Sequence, residues 1–129
     1  MYRDCPHVLL VENMHEAADR FRRFLRHNGV YVDFAKPDSV DPSRYIAADC
    51  VVEDITTRSP RRKPEILIRL RKNYPGIPVI IASLECVRRT RAEPHIDSDG
   101  ILYFPEGLTE NDLLIAIQKV SKKHARYPR

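Results

Sequence analysis

Residues 77–82 read Ile-Pro-Val-Ile-Ile-Ala. The run is apolar throughout, β-branched at its centre and too short for a helix. It predicts a strand buried on both faces, since a strand with one wet face would alternate. Strands of that kind belong to parallel sheets covered by helices. Two other stretches read the same way. His7–Val11 (HVLLV) lies upstream, and Cys50-Val51-Val52 runs into the acidic pair Glu53-Asp54.

The segments between these runs carry helical spacing. From His15 to His27, Ala17, Ala18, Phe21, Phe24 and Leu25 recur on one face, with Arg20, Arg22, Arg23 and Arg26 facing elsewhere. Asn28-Gly29 supplies a C-terminal stop. Val30–Ala35 predicts a strand, and Asp41-Pro42 an N-cap and first-turn proline for a short helix through Ala48. Pro64 opens a helix with Leu67, Leu70 and Tyr74 on its apolar face, closed by Pro75-Gly76. Residues 84–93 predict a short helix ended by Pro94. Asp99-Gly100 turns into a strand at Ile101–Phe104. Thr109, with Asp112 three residues on, resembles a capping box for a last helix with Leu113, Ala116, Ile117 and Val120 as its buried stripe. Strand and helix alternate five times. This order predicts an α/β fold: a flavodoxin-like doubly wound five-stranded parallel sheet, order 2-1-3-4-5, with helices on both faces. Ligands and chemistry gather at the carboxyl ends of such strands.

The chain has 129 residues and 15.0 kDa, enough for one domain. Its apolar runs are far too short to span a membrane, and the N-terminus lacks a signal-peptide stretch, so a cytoplasmic location is expected. Cys5, Cys50 and Cys86 have no metal-like spacing and read as reduced thiols, with Cys50 a buried, inert strand residue. The five histidines are scattered without zinc spacing, and four unclustered glycines exclude a Gly-rich nucleotide loop. The net charge of +4 is the remainder of opposed blocks. Residues 30–56 hold Asp33, Asp38, Asp41, Asp49, Glu53 and Asp54 against two bases, while residues 58–72 hold seven bases against Glu65. Residues 93–112 are acidic and the C-terminal residues basic. Such blocks either steer charged partners or form solvated faces.

The strand ends carry V-L-L-V-E-N-M at 8–14, D-C-V-V-E-D-I at 49–55, P-V-I-I-A-S at 78–83 and D-G-I-L-Y-F-P at 99–105. In this order the four pieces resemble the response-regulator receiver family over nearly the whole chain. The resemblance places Asp54 at the phospho-accepting aspartate and Ser83 at the phosphoryl-contacting hydroxyl. It places Glu12 and Asn13 at the acidic pair that holds Mg²⁺ together with Asp54. Asn13 brings an amide where family members have a carboxylate, so any Mg²⁺ site on Glu12, Asn13 and Asp54 is expected to be weak. Phe104 stands at the lysine position, and an aromatic ring cannot donate to a phosphoryl oxygen. Ile101 stands at the switch aromatic. The loop after Asp54, D-I-T-T-R-S-P-R-R-K-P-E, is one residue longer than the family's and carries the basic patch Arg58, Arg61, Arg62 and Lys63.

The scaffold features agree with the family and several switch features do not, which is the pattern of an atypical or pseudo-receiver. The expected organisation is a receiver-like domain over 1–123 and a basic tail over 124–129. The expected function is a stand-alone, non-enzymatic receiver in two-component signalling, with Asp54 phosphorylation weakened or lost. It would bind a sensor kinase or regulator, or a second copy of itself, through the face formed by 84–123. One alternative is a phosphorylatable receiver with an altered Mg²⁺ site. Another is a module binding nucleic acid or an acidic partner through the basic loop; nucleic acid is disfavoured by the small net charge and the absence of interleaved aromatics.

Overall fold

The strands form where the sequence carries its short, mainly apolar runs. In the computed structural model, which describes residues 5–12, 16–55, 65–84, 95–96, 101–104 and 108–124, they are β1 (His7–Val11), β2 (Tyr31–Ala35), β3 (Cys50–Asp54), β4 (Val79–Ala82), β5 (His95–Ile96) and β6 (Leu102–Phe104). Four helices are described: α1 (Glu16–His27), α2 (Pro42–Ala47), α3 (Glu65–Asn73) and α4 (Glu110–His124). The sheet order is β2-β1-β3-β4-β6-β5. Its five long-range neighbours β2, β1, β3, β4 and β6 run parallel, in the 2-1-3-4-5 order read from the sequence. The five expected parallel strands are all present, with one addition at the edge. β5 adds a two-residue antiparallel edge, with His95 opposite Tyr103 and Ile96 opposite Leu102. A two-residue strand is too short to leave any periodicity in the sequence.

Strand alternation divides the core into two layers. Val8, Leu10, Cys50, Val52, Ile80 and Ala82 point to the side covered by Ala18, Phe21 and Leu25 of α1 and by Leu113 and Ile117 of α4. Leu9, Val11, Val51, Val79 and Ile81 point to the other side, against Tyr45 of α2 and Leu67 and Leu70 of α3. Helices on both faces explain why every position of β3 is buried.

Local chemistry sets the helix ends. Gly29 takes φ 84°, the left-handed conformation that closes α1, and Val30 N–H returns to Leu25 C=O at 3.0 Å. Asp41 accepts from Ser43 N–H at 3.0 Å, and Pro42 opens α2. At α4, Thr109 Oγ1 accepts from Asp112 N–H at 3.1 Å, and Asp112 Oδ2 accepts from Thr109 N–H at 3.1 Å, which completes the capping box.

Three expectations shift. The strands expected from Val30, Ile77 and Ile101 begin at Tyr31, Val79 and Leu102. Tyr74 lies beyond the last turn of α3 and is 37% exposed, its ring tilted against Tyr45 at 6.5 Å, because Pro75-Gly76 ends the helix before it turns inward. Helix α4 reaches His124, one residue into the expected tail. The expected helix at 84–93 and the tail beyond 124 lie outside the described residues. Among those described, no helix is long and apolar enough to cross a membrane. Thr109→Ala removes one half of the capping box and should lower stability by about 1 kcal/mol, read as a lower urea midpoint with unchanged slope.

Candidate functional site

The register of the sheet lines up the candidate residues at its carboxyl edge. Val11 is opposite Glu53, so Glu12 stands level with Asp54; Asp54 is opposite Ala82, and Ala82 opposite Phe104. With neighbouring strands about 4.8 Å apart, the Glu12 and Asp54 backbones are one strand spacing apart, and Phe104 is two from Asp54. Glu12 shares its parity with Val8 and Leu10, and Asp54 with Cys50 and Val52, so both belong to the α1/α4 side of the sheet.

Glu12 is fully buried, its N–H held by Ala35 C=O at 3.0 Å. A buried carboxylate requires a partner, and α1 provides one: Arg22 Nη1 donates to Glu12 Oε2 in a close ion pair. The other Arg22 nitrogen donates to Asp19 Oδ1 at 2.8 Å, and the guanidinium carbon lies 5.0 Å from the centre of the Phe34 ring. This overturns the grouping of Arg22 with the outward arginines of α1. Its side chain is 12% exposed, against 58% for Arg20 and 71% for Arg23. The sequence signal was its position four residues after the buried Ala18, at the seam of the apolar stripe.

Asp54 is buried, and its Oδ1 accepts from the backbone N–H of Leu84 at 3.1 Å. Ser83 follows β4 directly, half-buried, between Ala82 and Leu84. The structure thus brings Glu12, Asp54 and Ser83 to one edge, as the sequence indicated. Phe104 sits at the end of the row but is 8% exposed and belongs to the core cluster with Ala82, Leu84 and Leu108. β6 therefore presents a packed ring where a donor was sought. Ile101 is half-buried against the α2/α3 layer with Tyr103. Asn13 and the basic patch Arg58, Arg61, Arg62 and Lys63 lie outside the described residues, as does Cys86.

Glu53 shows the same logic on the opposite face. Its buried carboxylate is paired with Arg71 of α3 at 2.5 Å, another arginine the charge count had left on the surface. Beside them the fully buried Tyr45 hydroxyl has no hydrogen-bond partner among the described residues. Burial first, and then the Glu53 carboxylate, push the Tyr45 phenol above its ordinary range. Burial likewise pushes the Cys50 thiol up, which makes it the inert strand residue expected.

Among the described residues no three His, Cys, Asp or Glu side chains converge on a metal position. Glu12 and Asp54 are the described members of the expected Mg²⁺ set, and Arg22 already brings to Glu12 the positive charge a metal would supply.

The same guanidinium affects Asp19. The Arg22 hydrogen bond, aided by the charges of Arg22 and Arg23, holds the Asp19 carboxyl below its ordinary range. A depressed carboxyl stabilises the fold above its unfolded value, about 3.9, and that contribution is lost as pH falls through the folded value. Asp19→Asn should therefore make the fall of the urea midpoint below about pH 4 shallower than in the wild type.

No protein-family model matches the chain, and no curated protein matches it. Among solved structures it is similar to one described as a transiently phosphorylated "switch" in bacterial signal transduction. The TM-score is 0.63 at 14% sequence identity, covering 96% of this chain and all of the other. The chain thus shares the flavodoxin-type, receiver-like doubly wound fold of that structure.

Proposed function

We propose that this chain is a receiver-type domain of two-component signalling that acts mainly through protein–protein contacts, with phosphorylation of Asp54 weakened or lost. The observation that carries this reading is the composition of the edge row: Glu12 tied to Arg22, Asp54 held by the Leu84 amide, and Phe104 packed into the core. Phosphoryl transfer to a carboxylate depends on cations and donors that receive the charge of the transferred group. The Phe104 ring offers none. Arg22, which reaches this edge, is already shared between Glu12 and Asp19.

The face formed by 84–123 is the proposed docking surface for a sensor kinase, a regulator or a second copy. Ile96 on β5 and Ile115 on α4 are exposed apolar residues within it. The nucleic-acid alternative rests on Arg58, Arg61, Arg62, Lys63 and the basic C-terminal residues beyond 124, which lie outside the described residues. A cytoplasmic location and a non-enzymatic role belong to the same proposal.

Incubation with Mg²⁺ and a small phosphoryl donor, followed by intact-mass measurement, tests the reading. The wild type should show no stoichiometric phosphoryl adduct and should match Asp54→Asn. A stoichiometric adduct present in the wild type and absent from Asp54→Asn would overturn it.

A further inference from the structure

We propose that Arg22 is the resident cation of the acidic edge. Its guanidinium holds the neutralising place on Glu12 that a divalent metal would otherwise take, so the folded chain is indifferent to Mg²⁺. Removing it uncovers a divalent-cation site on Glu12 and Asp54. The inference rests on reading these two residues as the acidic pair of a receiver-type edge.

The argument begins with burial. Glu12 is fully buried and Asp54 2% exposed, one strand spacing apart on the same side of the sheet. Two carboxylates so placed need positive charge nearby. Arg22 meets the need from three anchor points on three elements: Glu12 at the end of β1, Asp19 on α1 itself, and the face of Phe34 on β2. Each terminal nitrogen has its own carboxylate, so the planar fork is fully oriented. A guanidinium stays charged at every pH a protein tolerates. The neutralising charge is therefore part of the fold, where a bound metal would come and go with its concentration. For Mg²⁺ to enter, it must shed water, which it does reluctantly, and displace the Arg22 guanidinium from the buried Glu12.

Thermal unfolding with and without millimolar Mg²⁺, together with Mn²⁺-induced broadening of NMR signals, provides the test. In the wild type Mg²⁺ should not move Tm, and Mn²⁺ should leave the Glu12 and Asp54 signals sharp. Arg22→Gln should melt at a lower temperature and regain stability as Mg²⁺ is added, because a ligand of the folded state alone raises Tm with its concentration. Mn²⁺ should then broaden both signals, and adding Glu12→Gln should abolish the gain. Metal-dependent stability or broadening in the wild type overturns the proposal. So does a folded Arg22→Gln that ignores Mg²⁺, and so does an Arg22→Gln that Mg²⁺ cannot refold. No phosphoryl donor is present, so the outcome is separable from the labelling experiment. Labelling of Asp54 beside Mg²⁺ indifference defeats the functional reading alone, and Mg²⁺ dependence without labelling defeats this one alone.

Discussion

Burying a carboxylate at the edge of a sheet covered on both faces is the constraint around which this domain is arranged. Glu12 follows β1 directly and Glu53 is the penultimate residue of β3, the central strands, and both carboxylates are buried. Each draws an arginine out of a flanking helix, Arg22 from α1 on one face and Arg71 from α3 on the other. Breaking a buried pair of this kind by removing one partner costs about 3–5 kcal/mol, because the remaining charge is stranded. The two pairs therefore fasten each helix layer to the functional edge of the sheet.

Helix geometry explains why these arginines were recruited. Arg22 stands four residues after Ala18, and Arg71 four after Leu67, both buried. Residues at that spacing lie one above the other on the same helix face. The arginine stems continue the apolar stripe, and the guanidinium reaches past its end to the strand terminus. The charge blocks of the sequence acquire a different meaning. In the acidic block, Asp33 meets Arg44 at 3.2 Å, Asp41 caps α2, and Asp49 accepts from His7 N–H at 2.9 Å. Glu53 and Asp54 are likewise engaged. Much of what looked like surface charge holds the fold.

The doubly wound scaffold here turns the acidic ends of its central strands inward. A ring in the core at Phe104 and a guanidinium on Glu12 both favour one settled arrangement. A chemical switch needs groups that gain a partner when the modification arrives. Here Glu12 and Asp54 already have partners, in Arg22 and in the Leu84 amide.

The parallel strands, their order, the capping box at Thr109 and Asp112, and the placement of Glu12, Asp54 and Ser83 at one edge were all legible in the sequence. The strands and caps rest on local periodicity and short-range hydrogen bonding, and the order and the shared edge on the topology that alternating strands and helices imply. The antiparallel β5 was not legible, because two residues carry no period. Nor were the roles of Arg22 and Arg71, since composition records a charge and not the carboxylate it faces. Sequence by itself determined which residues end the strands and that acids stand among them. Only the tertiary structure decided what neutralises those acids, because that depends on which helix crosses which strand end, and an ion pair in a desolvated edge is settled by geometry over a few ångströms.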